Sequence, residues 1–216
     1  MERICILVDA YHPQNVSTTS IESSLAKAVD VVCAALIGFG VPLSIMSTWF
    51  ATSAPKINIQ LTDFYTKGAE LILSDINSNI PIAGKPIDMQ KGYLKANRDA
   101  LTKCYICGTG SSPVISSYVP QGATDNNTIA ALNAIGGIKK VGIPGASGFL
   151  SVPVDVSDSG LDYLEFFKSL RTKLDSGEDL VVRYSTNNST KLLNSLLGFV
   201  CYAQSSGAKF VQYRDF

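Results

Sequence analysis

The sequence predicts an α/β protein with a doubly wound, mostly parallel sheet of about six to seven strands and helices on both faces, a Rossmann-like three-layer sandwich. Short apolar runs of strand length alternate with longer stretches that carry apolar residues at helical spacing. Such alternation implies right-handed crossovers between parallel strands. With 216 residues, 46% of them hydrophobic, the chain can build the core of a single α/β domain over residues 1–216, with a soft division near 145–150.

The chain begins with one predicted β–α–β unit. Arg3–Val8 is a continuous apolar run, which indicates a strand buried on both faces, and Asp9 follows it directly. Thr19–Glu22 has the capping-box pattern, so a helix is expected over Ser20–Ile37, where glycines end it. Val41–Phe50 is the second predicted strand.

The middle of the chain has less regular patterns. Lys56–Leu61 alternates apolar and polar residues, which predicts a half-exposed edge strand. A helix is expected over Tyr65–Asn79, and Ile80–Met89 is irregular because it contains two prolines and a glycine. After a short helix over Gln90–Thr102, the apolar run Cys104–Cys107 predicts a buried, central strand.

The second half repeats the alternation of strands and helices. Strands are predicted where aliphatic runs lie between glycine, proline or polar residues, and helices where large apolar residues recur every three or four positions. The predicted strands are Lys139–Ile143, Leu150–Val156, Leu180–Tyr184 and Lys209–Tyr213. The predicted helices are Thr128–Ile135, Leu161–Leu174 and Ser189–Gln204.

A glycine-serine segment follows the predicted strand Cys104–Cys107. Its backbone amides and hydroxyls can cradle a phosphate or carboxylate at the carboxyl edge of the sheet. It lacks the lysine of a P-loop and the third glycine of a dinucleotide fingerprint, so a tight turn without a ligand is the alternative. The candidate ligand-binding residues here and in the polar loop that follows are Gly108, Thr109, Gly110, Ser111, Ser112 and Asp125. Asp125 can also cap the next helix.

Two residues near the end of the first strand are candidates for acid–base catalysis. Asp9 ends that strand, and His12, the only histidine of the chain, follows in the same loop. Together they could exchange a proton with a substrate at the carboxyl edge of the sheet. The alternative is that Asp9 caps a turn and His12 is a solvated loop residue.

The segment Asp155–Ser159 reads D-x-S-x-S between an apolar strand and an amphipathic helix. This motif resembles the start of the metal-ion-dependent adhesion site in von Willebrand A-type domains. The resemblance implies a divalent metal at Asp155, Ser157 and Ser159. In that family the motif follows the first strand, whereas here it stands late in the chain. The alternative is that Ser157 or Ser159 caps the next helix, with Asp158 near the helix dipole.

Charge and composition favour some function classes over others. The formal net charge is zero and lysine and arginine do not cluster, which argues against nucleic-acid binding. No secretion signal or membrane span is recognised, and five cysteines lie in apolar segments, so a cytoplasmic location with reduced thiols is expected. The sequence identifies no cofactor.

The leading functional hypothesis is a non-enzymatic interaction or self-assembly module that acts as a homo-oligomer. It is motivated by the low content of charged residues, 17%, and by the lack of a recognisable catalytic set. The alternative is a small enzyme or ligand-binding domain that acts on a phosphate- or carboxylate-bearing small molecule at the carboxyl edge of the sheet.

Overall fold

The computed structural model of the chain describes residues 2–10, 19–48, 54–75, 82–109, 114–188 and 190–216. Within these ranges, nine strands form one sheet. The strands are β1 (Arg3–Ala10), β2 (Ser44–Ser47), β3 (Glu70–Leu73), β4 (Ser117–Tyr118), β5 (Lys140–Val141), β6 (Leu150–Ser151), β7 (Val156–Ser157), β8 (Leu180–Ser185) and β9 (Lys209–Phe210). The helices are α1 (Thr19–Gly38), α2 (Pro55–Thr66), α3 (Ile87–Thr109), α4 (Asn126–Ile135), α5 (Tyr163–Asp175) and α6 (Thr190–Ser205), and a 3₁₀ turn covers Tyr213–Asp215.

The described strand pairs are all parallel, which confirms the predicted α/β class and parallel sheet. Their order is β6-β5-β4-β3-β2-β1-β8-β7, and β9 pairs with the start of β1. Strand β1 lies between β2 and β8, and its residues from Ile4 to Ala10 are buried. A strand with neighbours on both sides and cover on both faces requires the uninterrupted apolar run that the sequence supplies here.

The sheet is curled rather than flat. The strands at its two ends, β6 and β7, are consecutive in the chain and are joined by residues 152–155. Five residue steps span at most about 18 Å, whereas eight strands side by side would span about 34 Å at a spacing of about 4.8 Å. The sheet must therefore bend until its two edges approach each other, as in a barrel.

The two faces of the curled sheet have different cover. Ile4, Ile6 and Val8 of β1 belong to a large apolar cluster that contains the buried side chains of all six helices. Cys5 and Leu7 point the opposite way, into a smaller cluster built from strand and C-terminal residues, including Met46, Ile72, Val119, Val181 and Tyr213. The predicted three-layer sandwich with helices on both faces is therefore not confirmed, because the inner cluster contains no residue of the six α-helices.

The C-terminal segment closes the amino end of the curled sheet. The hydroxyl of Tyr213 donates to the backbone carbonyl of Val152 at 2.6 Å, and Lys140 Nζ donates to the carbonyl of Tyr213 at 2.6 Å. Glu70, at the start of β3, accepts hydrogen bonds from the hydroxyls of Ser44 and Ser117, each at 3.0 Å. These side chains fill the amino end of the sheet with hydrogen-bonded polar groups.

Several predicted elements are wrong in the middle of the chain. Lys56–Leu61 is part of helix α2, because Pro55 starts the helix and Ile57, Leu61 and Phe64 are buried at helical spacing. The predicted helix Tyr65–Asn79 is wrong over its described part, residues 65–75: α2 ends near Gly68, which has φ of 93°, and strand β3 follows. Strand β3 is a buried run of only four residues. Such a run fits both a strand between two neighbours and one turn of a helix, so its periodicity does not distinguish a strand from a helix.

Two further predictions about strands are wrong. Cys104–Cys107 lies in the last turns of helix α3 and is neither a strand nor central. The predicted strand Leu150–Val156 is two strands, β6 and β7, at opposite ends of the sheet. Pro153 lies between them and cannot donate a backbone hydrogen bond to a neighbouring strand. The predicted helices that correspond to α1, α4, α5 and α6 are confirmed.

Candidate functional site

The candidate site is built around Asp9, the residue at which the central strand reaches the carboxyl end of the sheet. Arg183 of β8 lies on the same face and donates to Asp9 Oδ2 through Nη2 at 2.7 Å and Nε at 3.2 Å. Gln121 Nε2 donates to Asp9 Oδ1 at 2.7 Å. Asp9 is only 1% exposed. Burial raises the pKa of Asp9, and the Arg183 guanidinium and the Gln121 amide act in the opposite direction.

Asp158 is the second carboxylate of the site. It follows β7, and its Oδ2 atom accepts from the backbone N–H of Ser185 at 2.6 Å and from the side-chain amide of Asn188. Its Oδ1 atom has no hydrogen-bond partner among the described residues. Burial raises the pKa of Asp158 to about 6, and the negative charge of Asp9 acts in the same direction. A carboxyl group with this pKa can accept or donate a proton near neutral pH.

A polar cavity of about 400 Å³ contains both carboxylates. It lies where strands β1, β7 and β8 end, together with the loop after β4. Side chains able to donate or accept hydrogen bonds form most of its wall: Asp9, Gln121, Ser157, Asp158, Ser159, Arg183, Ser185, Asn187 and Asn188. Leu161 and Leu192 add apolar contact area. We call this space the polar cavity.

A third carboxylate, Asp75, positions the loop that carries Gln121. The hydroxyl of Tyr118 donates to Asp75 Oδ1, and the backbone N–H groups of Gln121 and Gly122 donate to Asp75 Oδ2 at 2.9 Å and 3.2 Å. Burial raises the pKa of Asp75. Gln121 is thereby held against Asp9, while its own Oε1 atom is buried without a hydrogen-bond partner in the described structure.

The structure describes only one of the two predicted acid–base residues. Asp9 lies in the polar cavity, whereas His12 lies outside the described residues, so its role stays a prediction. Sequence reasoning missed Arg183, Gln121 and Asp75 and considered Asp158 only as a neighbour of a helix dipole. One signal was present for Asp75: like Asp9, it follows a buried aliphatic run closely.

The predicted ligand-binding segment 108–112 does not follow a strand. Gly108 and Thr109 are the last residues of helix α3, and Gly110, Ser111 and Ser112 lie outside the described residues. At the end of a helix the groups without intrahelical partners are carbonyls, which do not attract anions. The predicted position at a strand exit is wrong, and the predicted role in ligand binding stays a prediction.

Asp125 caps helix α4, as one of its two predicted roles requires. It accepts from the backbone N–H of Thr128 at 2.9 Å, from that of Gly84 at 2.6 Å and from Gln90 Nε2 at 3.0 Å. These hydrogen bonds, with that from Gly84 first, lower the pKa of Asp125 to about 2. Both of its oxygens are used by the protein, and its predicted role in binding a ligand stays a prediction.

The candidate metal residues Asp155, Ser157 and Ser159 do not act together. Asp155 Oδ2 accepts from the backbone N–H of Val181 at 2.8 Å, and Ser157 accepts from the backbone N–H of Ser159 at 3.3 Å. Helix α5 is capped by Asp162, not by either serine. Across the described ranges, no group of three histidine, cysteine, aspartate or glutamate side chains is arranged to hold a metal ion.

Among the described residues, none of the helices is both long and apolar enough to span a membrane. The sequence matches no protein-family model and no curated protein. The fold is nevertheless similar to those of solved structures that include carbohydrate esterase family 4 domains and a probable polysaccharide deacetylase.

Three solved structures illustrate this similarity. A probable polysaccharide deacetylase from Pseudomonas aeruginosa PAO1 has a TM-score of 0.77 at 16% identity, over 99% of this chain and 88% of that one. Puue allantoinase has a TM-score of 0.74 at 15% identity, with the same shares, 99% and 88%. A family 4 acetyl xylan esterase from Clostridium thermocellum, in complex with a cobalt ion, has a TM-score of 0.70 at 11% identity, over 99% and 89%.

These similarities correct the leading functional hypothesis. The prediction of a non-enzymatic interaction or self-assembly module is wrong, because the chain has a fold shared with deacetylases, an esterase and an allantoinase over nearly its whole length. Sequence reasoning reached that hypothesis because no catalytic motif was recognisable. The candidate catalytic groups come from strands that are far apart in the sequence.

The cobalt ion of the esterase raises the question of whether this chain could hold a metal in the same cavity. Asp9 has both oxygens engaged, by Arg183 on one side and Gln121 on the other. The whole sequence contains one histidine, and imidazole is a preferred ligand for cobalt-like divalent ions. The described residues of the polar cavity therefore do not fit a metal ion, and the positive charge next to Asp9 is a guanidinium.

Proposed function

We propose that this chain is a hydrolase that removes an acyl group from a saccharide, with Asp158 as the general base. The observation that carries the proposal is the buried Asp158 carboxyl group in the polar cavity, which has a pKa of about 6 and whose Oδ1 atom accepts no hydrogen bond from another described residue. Such a group is ionised at pH 7 and still basic enough to take a proton from water. The polysaccharide deacetylase and acetyl xylan esterase with this fold support the choice of substrate class.

The lining of the polar cavity matches the chemistry of a sugar. Each sugar hydroxyl can both donate and accept a hydrogen bond, and the cavity offers serine hydroxyls, asparagine and glutamine amides and carboxylates. Leu161 and Leu192 give the apolar contact that a sugar ring or an acetyl methyl group needs.

The reaction divides between Asp158 and Arg183. Asp158 Oδ1 takes a proton from a water molecule, whose oxygen forms a bond to the acyl carbon. The negative charge that develops on the acyl oxygen is stabilised by Arg183, whose Nη1 group donates to no described residue and is therefore available for the ligand. The bond from the acyl carbon to the sugar oxygen or nitrogen then breaks, and the proton on Asp158 passes to that atom. Asp9 positions Arg183.

Acetate release from acetylated saccharides tests the proposal. N-acetylated chito-oligosaccharides and O-acetylated xylo-oligosaccharides are incubated with the wild type, Asp158→Asn and Asp99→Asn. Asp99 is an exposed carboxylate on α3 and serves as the matched control. Loss of a general base costs about 10²–10⁴-fold in rate, so Asp158→Asn should release acetate at least 100-fold more slowly than the wild type, with Asp99→Asn unchanged.

The pH dependence gives a second criterion for the same role. A general base with a pKa of about 6 should make kcat/KM rise with pH up to about 6 and then level off. Release of no acetate from either saccharide class would contradict the proposed function. Undiminished activity of a correctly folded Asp158→Asn variant would contradict the role of Asp158. The cytoplasmic location and homo-oligomeric state stay predictions from the sequence.

A further inference from the structure

A second cavity adjoins the polar cavity along strand β7. It has a volume of about 530 Å³ and lies between β7 and helix α5. Four of its lining residues come from α5: Lys168, Ser169, Thr172 and Lys173. We call this space the lysine groove. It is larger than the polar cavity.

The lysine groove and the polar cavity are adjacent. Ser157 and Leu161 line both of them. Strand β7 stands at the end of the sheet and, in the described chain, pairs only with β8. A chain-like ligand can occupy both spaces at once, whereas a single sugar unit fills only one.

The two spaces differ in charge. Among the described residues, the polar cavity contains two carboxylates, Asp9 and Asp158, and one guanidinium, which favours a neutral or cationic unit. The lysine groove contains two ammonium groups and one carboxylate, Asp155, which is engaged by the backbone N–H of Val181.

The two ammonium groups of the groove are available for a ligand. Lys168 forms no ion pair with a described residue, and Lys173 lies 3.9 Å from the exposed carboxylate of Glu178, a loose contact. Within the described part of the chain, the groove thus favours a negatively charged group, and Ser169 and Thr172 add hydroxyl donors on the same helix.

We propose that the lysine groove binds an acidic unit of an oligosaccharide whose neighbouring, uncharged unit lies in the polar cavity. The inference rests on the proposed function and names its substrate class: a mixed oligosaccharide in which acylated sugars alternate with sugars that carry a carboxylate or sulfate. The lysine groove adds binding affinity and determines which sugar unit of the oligosaccharide lies in the polar cavity. The reacting groups remain in the polar cavity.

Calorimetric titration of oligosaccharides of equal length tests this inference. The probes are a neutral oligomer, a carboxylated oligomer with a uronate in every second unit, and a sulfated oligomer of the same design. We expect the wild type to bind at least one acidic oligomer about tenfold or more tightly than the neutral one at low salt, and the preference to shrink at 0.5 M salt because the lysines are exposed. The carboxylated and sulfated arms identify which anionic group the groove prefers.

The double variant Lys168→Gln/Lys173→Gln should lose the preference and keep the affinity for the neutral oligomer. Lys91→Gln, an exposed lysine on α3, is the matched control and should behave as the wild type. Equal binding of acidic and neutral oligomers by the wild type, or an unchanged preference in the double variant, would overturn the inference. Acetate release from a short neutral substrate is measured in parallel, for the wild type and for Asp158→Asn. If acetate release depends on Asp158 but the wild type does not prefer acidic oligomers, the assignment of the lysine groove is wrong and the proposed function stands.

Discussion

The pairing of Asp9 with Arg183 can be tested by replacing Arg183 with methionine, which keeps the length of the side chain and removes its charge. The two side chains are 1% and 19% exposed, and two N–H groups of Arg183 reach one oxygen of Asp9. Removing one partner of a buried ion pair costs about 3–5 kcal/mol, because the other charge stays buried without its partner. We expect a value near the lower limit, since Gln121 still donates to Asp9.

The assay is urea unfolding followed by circular dichroism, with the free energy of unfolding measured for Arg183→Met, Asp9→Asn and the double variant. Asp9→Asn should cost less than Arg183→Met, about 1–3 kcal/mol, because Arg183 is partly exposed and can be solvated. The double variant should be more stable than the sum of the two single losses predicts, by about 1.5 kcal/mol or more. The loss in Arg183→Met should also grow with pH, because an unpaired, buried Asp9 takes up a proton at low pH.

The control is Arg171→Met, which removes an exposed arginine that contacts Asp175 at 3.3 Å on helix α5. Its stability should stay close to that of the wild type, because exposed pairs contribute little. Additive single losses in the Asp9–Arg183 cycle, within about 0.5 kcal/mol, would refute the conclusion that the two side chains form one energetic unit.

Three further predictions follow from the same contacts. Asp158 has a pKa of about 6 in the folded protein, above its ordinary value of 3.8, so the stabilising effect of its bound proton is lost as pH rises from about 4 to about 6. The free energy of unfolding of the wild type relative to Asp158→Asn should therefore fall by about 3 kcal/mol over that range, and a flat difference would contradict the raised pKa. Tyr118→Phe removes the hydroxyl that donates to the buried Asp75 and should destabilise the protein by about 1–3 kcal/mol; an unchanged unfolding midpoint would show that Asp75 does not need this hydrogen bond. Calorimetric titration with Co²⁺ should show no stoichiometric binding, and a tight one-to-one site would show that donors outside the described residues assemble one.

The elements predicted correctly from the sequence are those with a long, consistent pattern. Strand β1 has an apolar run that only a doubly covered strand explains, and α5 carries large apolar residues on one face over 13 residues. In the segment 55–75 a strand was predicted where the structure has helix α2, and a helix where it has strand β3. Lys56–Leu61 is short enough to fit the periodicity of a strand and that of a helix, and β3 has only four residues. The curl of the sheet could not be predicted, since it depends on β6 and β7 lying at opposite ends of the strand order.

The candidate site was predictable only where one residue marked it. Asp9 stands out because a carboxylate ends a buried strand. Its partners are 112 and 174 positions away in the sequence, at Gln121 and Arg183, and no local pattern links residues at that separation. From the sequence, Asp158 was interpreted only as a residue near a helix dipole. Its burial, and hence its raised pKa, depends on contacts with Ser185 and Asn188, which the sequence does not reveal.

The parallel register of β1 and β8 connects the fold to the chemistry of the site. Leu7 pairs with Arg183 and Asp9 with Ser185, so Arg183 and Asp9 lie on the inner face of the curled sheet, two residue positions apart along the strands. A carboxylate buried at this position requires a positive partner, and here the neighbouring strand supplies it. That partner is a side chain of the protein, and its Nη1 group donates to no described residue. The contact that stabilises Asp9 is thus compatible with the role that we propose for Asp158 as the general base.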